Sequence, residues 1–380
     1  MKTVFVGSTL GILGGGQLGR MTAMAARSLG FSVHVLDPDP VCPARPIADL
    51  YMQAPLDDAV SIGKFAQSCS IITMEIEKIG LTGLAAAGQF VPVRPSKDVL
   101  AIVQNRIDQK DWLSRYGFPV GPYAPVRSEA ELTSALRQIG LPSLLKTSFG
   151  GYDGRGQVLL SDSISTLQGW SSLGRVDCIL ERLLPLQAEF SILVARRPQG
   201  EIAVYPPAMN RHKRGILAFS TIPAMLPRDA VKQGEEIVRS MAELLHVEGL
   251  LTVEFFLTEG GDVFVNELAP RPHNSFHGSE KACRVSQFEQ FVRAVCDWPL
   301  GQPELIQPVS IANLLGEHFL EDPTVSVAAV LNMPNVGVVL YGKKGACQGR
   351  KMGHLWAAAS TPEGSMALVQ QAHRRWSDPS

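Results

Sequence analysis

The sequence predicts an α/β protein that opens on a doubly wound parallel sheet, continues through an α+β region rich in hairpins, and ends in a small β-rich unit. Three observations carry this reading. A strand, a glycine turn, a helix and a second strand follow one another within the first 37 residues, the order of a parallel βαβ unit. Farther on, three pairs of apolar strands are joined by glycine-containing turns, the mark of antiparallel hairpins. From about Gln302, short apolar runs alternate with glycine turns.

Taken in order, residues 9–13 are a short apolar strand and residues 14–16 a turn. Residues 17–29 place Leu18, Met21, Met24 and Ala25 at helical spacing, with Gly30 where a helix ends. Residues 31–36 form the second strand, and residues 70–73 and 92–95 are two more candidates. Residues 97–116 are expected as one helix capped by Ser96. Residues 144–146 run as a strand into a glycine-rich stretch and return through residues 158–160; residues 178–181 are another strand. Residues 189–195 and 201–206 flank a Pro198-Gln199-Gly200 turn, and residues 250–257 and 263–268 flank Glu259-Gly260-Gly261-Asp262. Residues 235–245 and 286–296 are helical. The expected domains are residues 1–96, 97–301 and 302–380.

With 380 residues, 45% hydrophobic and 19% charged, the chain can build two or three domains without metal or disulfide staples. A net charge of -1 argues against nucleic acid or an anionic membrane as the main partner. Cys42, Cys69, Cys178, Cys283, Cys296 and Cys347 are scattered without zinc-ligand spacing, as expected of free thiols in a reducing compartment. No apolar run reaches 18 residues, and glycine-rich turns stand where a signal peptide would be cleaved. The cytoplasm is therefore the expected location.

Five motifs carry chemistry. Gly14-Gly15-Gly16-Gln17-Leu18-Gly19 fits G-x-G-x-x-G, and Asp37 follows Gly16 by 21 residues, near the place of a ribose-binding acid. This turn reads three ways: a dinucleotide site, an anion held at the helix N-terminus, or a tight turn without ligand. Gly150, Gly151, Gly154 and Gly156 lie between two strands, with Lys146 just upstream. That loop either folds over nucleotide phosphates or is a mobile surface hairpin. Glu254 and Glu267 are each embedded in an apolar strand of one hairpin. Facing carboxylates repel unless a cation lies between them, and Mg²⁺ takes carboxylate oxygens together with substrate phosphates; otherwise both acids face solvent. Asn266 adds a neutral oxygen donor. Arg271-Pro272-His273-Asn274-Ser275 is a substrate loop or an exit turn. Lys343 and Arg350, among glycines, converge on a phosphomonoester or belong to a solvated hairpin.

Together these motifs resemble the ATP-grasp superfamily and, within it, the N5-carboxyaminoimidazole ribonucleotide synthetase family. The resemblance runs from about Leu10 to His354 and is carried by GGGQLGRM, TMEIE, LLKTSFGGYDGRGQ, VEFFLTEGGDVFVNELAPRPHNS and YGKKGACQGRKMGH. It implies an N-terminal parallel-sheet domain, a central ATP-grasp domain and a small β-rich C-terminal domain. It implies ATP binding by Arg106, Lys146, the loop Gly151, Tyr152, Asp153, Gly154, Arg155, Gly156 and Gln157, and the linker Glu181, Arg182, Leu183 and Leu184. Glu189, His212, Asn266 and Glu267 complete that set, and Glu254 and Glu267 match the family's Mg²⁺ (or Mn²⁺) carboxylates. Gln17, Leu18, Glu75, Asn274, Lys343 and Arg350 match positions around the ribonucleotide, and Asp153, Arg155 and Arg271 are the expected catalytic residues.

The implied reaction is ATP-dependent carboxylation of 5-aminoimidazole ribonucleotide with bicarbonate, through carboxyphosphate, in a cytoplasmic homodimer. Its partners would be small molecules, with neither nucleic acid nor membrane. Alternatives are another ATP-grasp carboxylate–amine ligase or a nucleotide-binding homologue that has lost activity; a dehydrogenase explains nothing after residue 140. Three places depart from the family: Met74 replaces a commoner aromatic, Gly278-Ser279-Glu280-Lys281 after His277 differ from its common aromatic-Thr pattern, and Phe276 stands where the family usually has Gly. A phenyl group there would crowd the substrate loop or point outward.

Overall fold

The expected opening unit forms around strand β1 (Thr9–Leu13) and helix α1 (Gln17–Ser28). The computed structural model describes residues 3–151, 154–161, 165–319 and 322–378. β1 pairs in parallel with β2 (Ser32–Asp37), which pairs in parallel with β3 (Leu50–Gln53). On its other side β1 pairs in parallel with β4 (Ile71–Met74), giving the order β3-β2-β1-β4. β1 and β4 are almost wholly buried, as expected of parallel strands covered on both faces. Residues 92–95 are not a strand. Val93 alone bridges to Ile72, because Pro92 and Pro95 have no amide hydrogen to extend the ladder.

Residues 97–116 are two helices, Lys97–Gln104 and Arg106–Arg115. Asn105 between them is extended (φ -115°, ψ 121°), and its side chain accepts the Ile107 amide at 2.9 Å. Asparagine is among the best N-caps, so it ends one helix and starts the next. Asn105 also bridges to Phe149 of the glycine loop.

A four-stranded antiparallel sheet follows, of β5 (Tyr123–Val126), β6 (Ser143–Thr147), β7 (Gln157–Leu160) and β8 (Cys178–Arg182), in the order β5-β8-β6-β7. The large sheet begins with β9 (Leu186–Arg196), β10 (Ile202–Val204), β11 (Ala208–Lys213) and β12 (Ile216–Ile222). It continues with β13 (Gly249–Thr258), β14 (Val263–Ala269), β15 (Val309–Leu315), β16 (Val336–Leu340) and β17 (Lys351–Ala358). Its order is β14-β13-β9-β11-β12-β15-β17-β16, with β10 paired to β9. The tail therefore does not build a sheet of its own. Its three strands extend the central sheet through β12 and β15, and two helices the sequence reading did not anticipate, Thr324–Leu331 and Pro362–Ser377, cover them. Val330, Val369 and Trp376 from these helices bury against Leu314 and Leu355.

No helix among the described residues is long and apolar enough to cross a membrane. All six cysteines are free thiols.

Candidate active site

A cavity of about 840 Å³ lies where the N-terminal sheet, the glycine loop, the β13–β14 hairpin and the tail loop meet. Its floor is the turn between β1 and α1. Gly15 N–H donates to Asp37 Oδ2 at 2.6 Å, and Gly16 and Gly19 N–H donate to Glu75 Oε1 and Oε2 at 2.5 and 2.7 Å. The carboxylate that the amides of this helix N-terminus hold is thus the protein's own Glu75. Asp37 is likewise turned inward, onto Gly15 and the Asp39 amide, not outward to a ribose. A Cβ at residue 16 would stand 2.4 Å from Glu75 Oε1, so any side chain there would displace that carboxylate. Burial raises both carboxyls above their usual range, while the amide donors act in the opposite sense. Gln17 and Leu18 line the cavity, and Gln17 Nε2 reaches Asn274 Oδ1 at 3.3 Å.

The glycine loop joins β6 to β7, which pair antiparallel with Lys146 opposite Gln157. Gly150, Gly154 and Gly156 have positive φ, and Gly151, Gly154 and the exposed Arg155 line the cavity. Tyr152 and Asp153 lie outside the described residues. The loop is held from two sides. Arg106 donates to Gly151 O at 2.7 Å and Thr147 O at 3.2 Å. Gly154 packs on Gly215 in the β11–β12 turn, where an added Cβ would be 2.7 Å from Gly154 Cα.

Lys146 ion-pairs with Glu181, whose other oxygen is 3.0 Å from Lys110 Nζ. Burial alone would raise the Glu181 carboxyl; Lys110 and Lys146 hold it far below its usual range. Arg182 caps the Ile139 carbonyl at 2.9 Å, and the Leu183 amide donates to Pro142 O at 3.1 Å. Leu184 follows in the connection to β9, its side chain against Gly121. Glu189 and His212 are joined at 2.7 Å, Oε2 to Nδ1.

Glu254 and Glu267 face each other directly across β13 and β14. His273 Nε2 is 3.2 Å from Glu254, and Arg106 is 3.8 Å from Glu267. Asn266 turns its Nδ2 to Glu254 Oε2 at 3.3 Å, so it braces that acid and does not offer its oxygen there. The pair is electrostatically split. Burial would raise both, but His273 and His212 hold Glu254 well below the usual range, while burial and the neighbouring Glu254 leave Glu267 raised. Among the described residues no cluster of three or more His, Cys, Asp or Glu could hold a metal. Two opposed carboxylates with a half-exposed Glu267 fit a hard cation that takes its remaining ligands from phosphate and water.

On the far wall, Arg271 is held by Glu77 at 2.8 Å and lines the cavity with Asn274, Lys343 and Arg350. Arg350 is folded onto its own loop, donating to Gly345 O at 2.8 Å. Phe276 neither crowds this wall nor points outward. It is fully buried, edge-on to Tyr205 at 6.0 Å, in the core beneath the loop.

The cavity therefore gathers Gln17, Leu18, Glu75, Arg106, Gly151, Gly154, Arg155, Glu267, Arg271, Asn274, Lys343 and Arg350. Lys146, Gly156, Gln157, residues 181–184, Glu189, His212, Glu254 and Asn266 do not line it. They stand on β6 to β9, β11, β13 and β14 or in the connections next to them, and Arg106, which reaches both Gly151 O and Glu267, lines the cavity. Lys110, Glu77 and the bracing role of His273 emerge only in the fold. Lys110 had a signal: it lies four residues after Arg106 on one helix, hence on the same face.

A parallel opening sheet, a glycine hairpin over an opposed acid pair, and a lysine-bearing strand define an ATP-grasp protein. Residues 111–288 match the ATP-grasp domain, residues 7–104 the ribonucleotide synthetase preATP-grasp domain, and residues 310–366 the phosphoribosylaminoimidazole carboxylase C-terminal domain. The chain is 37% identical over 378 residues to the N5-carboxyaminoimidazole ribonucleotide synthase of Bacillus subtilis (strain 168), covering 99% of this chain and 97% of that one. It superposes on the N5-carboxyaminoimidazole synthetase of Staphylococcus aureus complexed with ADP with a TM-score of 0.92, 32% identity and 99% of both chains covered. The Aspergillus clavatus synthase in complex with ADP and 5-aminoimidazole ribonucleotide gives a TM-score of 0.90 at 27% identity, with 98% of this chain and 99% of that chain covered. This chain belongs to the N5-carboxyaminoimidazole ribonucleotide synthase family.

Proposed function

We propose that this chain is the ATP-dependent ligase that carboxylates 5-aminoimidazole ribonucleotide with bicarbonate, forming N5-carboxyaminoimidazole ribonucleotide, ADP and phosphate in purine synthesis. One juxtaposition carries the reading. A single cavity joins Arg106 and Glu267, on the glycine-loop side, to Asn274, Lys343 and Arg350 on the opposite wall. Family membership supplies the substrates.

In this reading ATP lies between the glycine loop and β9–β14. Lys146 and the loop place the phosphates, Glu181 and Leu184 meet the adenine through their backbone, and Glu189 takes the ribose. Glu254 and Glu267 would hold Mg²⁺ or Mn²⁺, which would neutralise the charge that develops on the phosphates. The γ-phosphoryl group passes to a bicarbonate oxygen, giving carboxyphosphate and ADP. Arg155 and Arg271 hold the anion, and the loop excludes water. Carboxyphosphate releases phosphate and CO₂, and the amine nitrogen bonds to the CO₂ carbon. The amine proton goes to Asp153. Lys343 and Arg350 anchor the 5′-phosphate, and Gln17, Leu18 and Glu75 meet the ribonucleotide.

The parts divide this work as residues 1–96, 97–301 and 302–380. Six free thiols support a cytoplasmic location; a homodimer rests on the family resemblance alone. Bicarbonate labelled with ¹⁸O tests the chemistry. One labelled oxygen should appear in the released phosphate, and unlabelled phosphate would refute a carboxyphosphate route.

A further inference from the structure

The substrate wall contains a hydrogen-bond relay whose direction is set by backbone atoms. His273 N–H donates to Gln287 Oε1 at 2.8 Å, and His273 C=O accepts from Gln287 Nε2 at 2.9 Å. A backbone amide can only donate and a carbonyl only accept, so the orientation of the Gln287 amide is fixed. Its Nε2 also faces His277 Nδ1 at 3.5 Å, which makes that ring nitrogen the acceptor. A neutral imidazole with an accepting Nδ1 carries its proton on Nε2.

The ring is built to stay neutral. His277 is 1% exposed, stacked on His354 with centroids 4.8 Å apart and rings 7° from parallel, and stacked on Phe288 at 5.8 Å. Burial pushes its pKa well below the usual value, and nearby His354, Lys351, His273 and Lys343 push the same way. His277 Nε2 lies 3.1 Å from Asn274 Oδ1, and Gln17 Nε2 lies 3.3 Å from the same oxygen. Both lone pairs of that oxygen are thereby used. The Asn274 Nδ2 group, with two donors, is what remains for the cavity that Asn274 lines.

We infer that His277 is a positioning residue which, steered by Gln287, fixes Asn274 as a hydrogen-bond donor to an acceptor atom of the nucleotide substrate. This rests on the substrate assignment above. The relay selects for an acceptor at that point of the substrate, because a donor there would meet the Asn274 N–H₂ group head-on.

Two experiments on the full-length chain test it. In a ¹⁵N-histidine NMR spectrum, with the His277 signals assigned by their loss in His277→Phe, the resonance pattern should show a neutral ring protonated at Nε2. A ring protonated at Nδ1 would overturn the inference, and this readout needs no substrate. His277→Phe keeps the stack but removes both nitrogens; the KM for 5-aminoimidazole ribonucleotide should rise about tenfold or more, the loss expected for one oriented hydrogen-bonding group, with the KM for ATP unchanged within about twofold. Unchanged KM values with only a lowered melting temperature would mean a merely structural role. Should that variant fail to fold, Gln287→Leu, which removes the steering donor, should produce the same one-sided rise in KM. If the wild-type enzyme does not respond to the ribonucleotide at all, the substrate assignment fails while the ring-protonation test still stands.

Discussion

Glu254 and Glu267 stand directly opposite each other across the β13–β14 hairpin, one braced by His273 at 3.2 Å and the other 3.8 Å from Arg106. Their carboxyls are driven apart, Glu254 down and Glu267 up, as happens when two acids share one site. A cation bound between them, as proposed above, would remove that conflict. Glu267→Ala should lower kcat for ADP formation by about 100-fold or more, the rate equivalent of losing several kcal/mol of charge stabilisation. Near-normal ADP release from this variant would remove the metal assignment.

Glu181 is the counter-ion of two lysines, Lys110 and Lys146. Glu181→Gln leaves both ammonium groups in a buried site, and breaking such a pair costs about 3–5 kcal/mol. The folded-state carboxyl lies below its unfolded value. Its stabilisation is therefore fully present above the unfolded glutamate pKa of about 4.3 and fades as pH falls toward the folded value. Urea unfolding at pH 7 and near pH 3 should show a large gap between wild type and variant that shrinks in acid. A gap that widens in acid would contradict the pairing.

Gly215→Val places a side chain where the built Cβ already stands 2.7 Å from Gly154 Cα, at a residue whose φ is +75°. The glycine loop then cannot seat on the β11–β12 turn. Steady-state kinetics should show a raised KM for ATP and a reduced kcat, with little change in the KM for the ribonucleotide. Unchanged ATP kinetics would mean that this contact does not serve loop closure.

Much of this architecture was legible in the sequence, for identifiable reasons. Glu254 and Glu267 were recognisable because an acid inside an apolar strand is expensive unless it has a purpose. β1 and α1 followed from a strand, a glycine turn and helical spacing. What stayed hidden depended on contacts between distant segments. Nothing local showed that Asn105 would interrupt a helical run, or that Lys110 would meet Glu181. The sequence signature of the first glycine turn was correct as a turn but did not show that its amide donors are taken by Asp37 and by Glu75, just past the end of β4.

Phe276 illustrates the same limit. From the sequence it would crowd the substrate loop or point outward; in the fold it fills the core against Tyr205. Phe276→Ala should destabilise the protein by about 3–5 kcal/mol, the usual loss for a buried phenyl group, and leave the KM for the ribonucleotide unchanged. Denaturant unfolding and kinetics on the same sample separate the two effects. A stable variant with altered KM would place Phe276 at the site after all.

Lys343 lines the cavity beside Arg350. Lys343→Ala should raise the KM for the ribonucleotide about tenfold, as for loss of one charged hydrogen bond, while ATP affinity stays close to wild type. Equal loss of both affinities would contradict a cavity divided between two nucleotides.

The most direct test of the whole account is ADP formation by the wild-type chain with ATP, Mg²⁺ and bicarbonate, measured with and without 5-aminoimidazole ribonucleotide. The account predicts strong stimulation by the ribonucleotide, with one carboxylated product formed per ADP. ADP formation indifferent to the ribonucleotide, or stimulation without a carboxylated product, would contradict it.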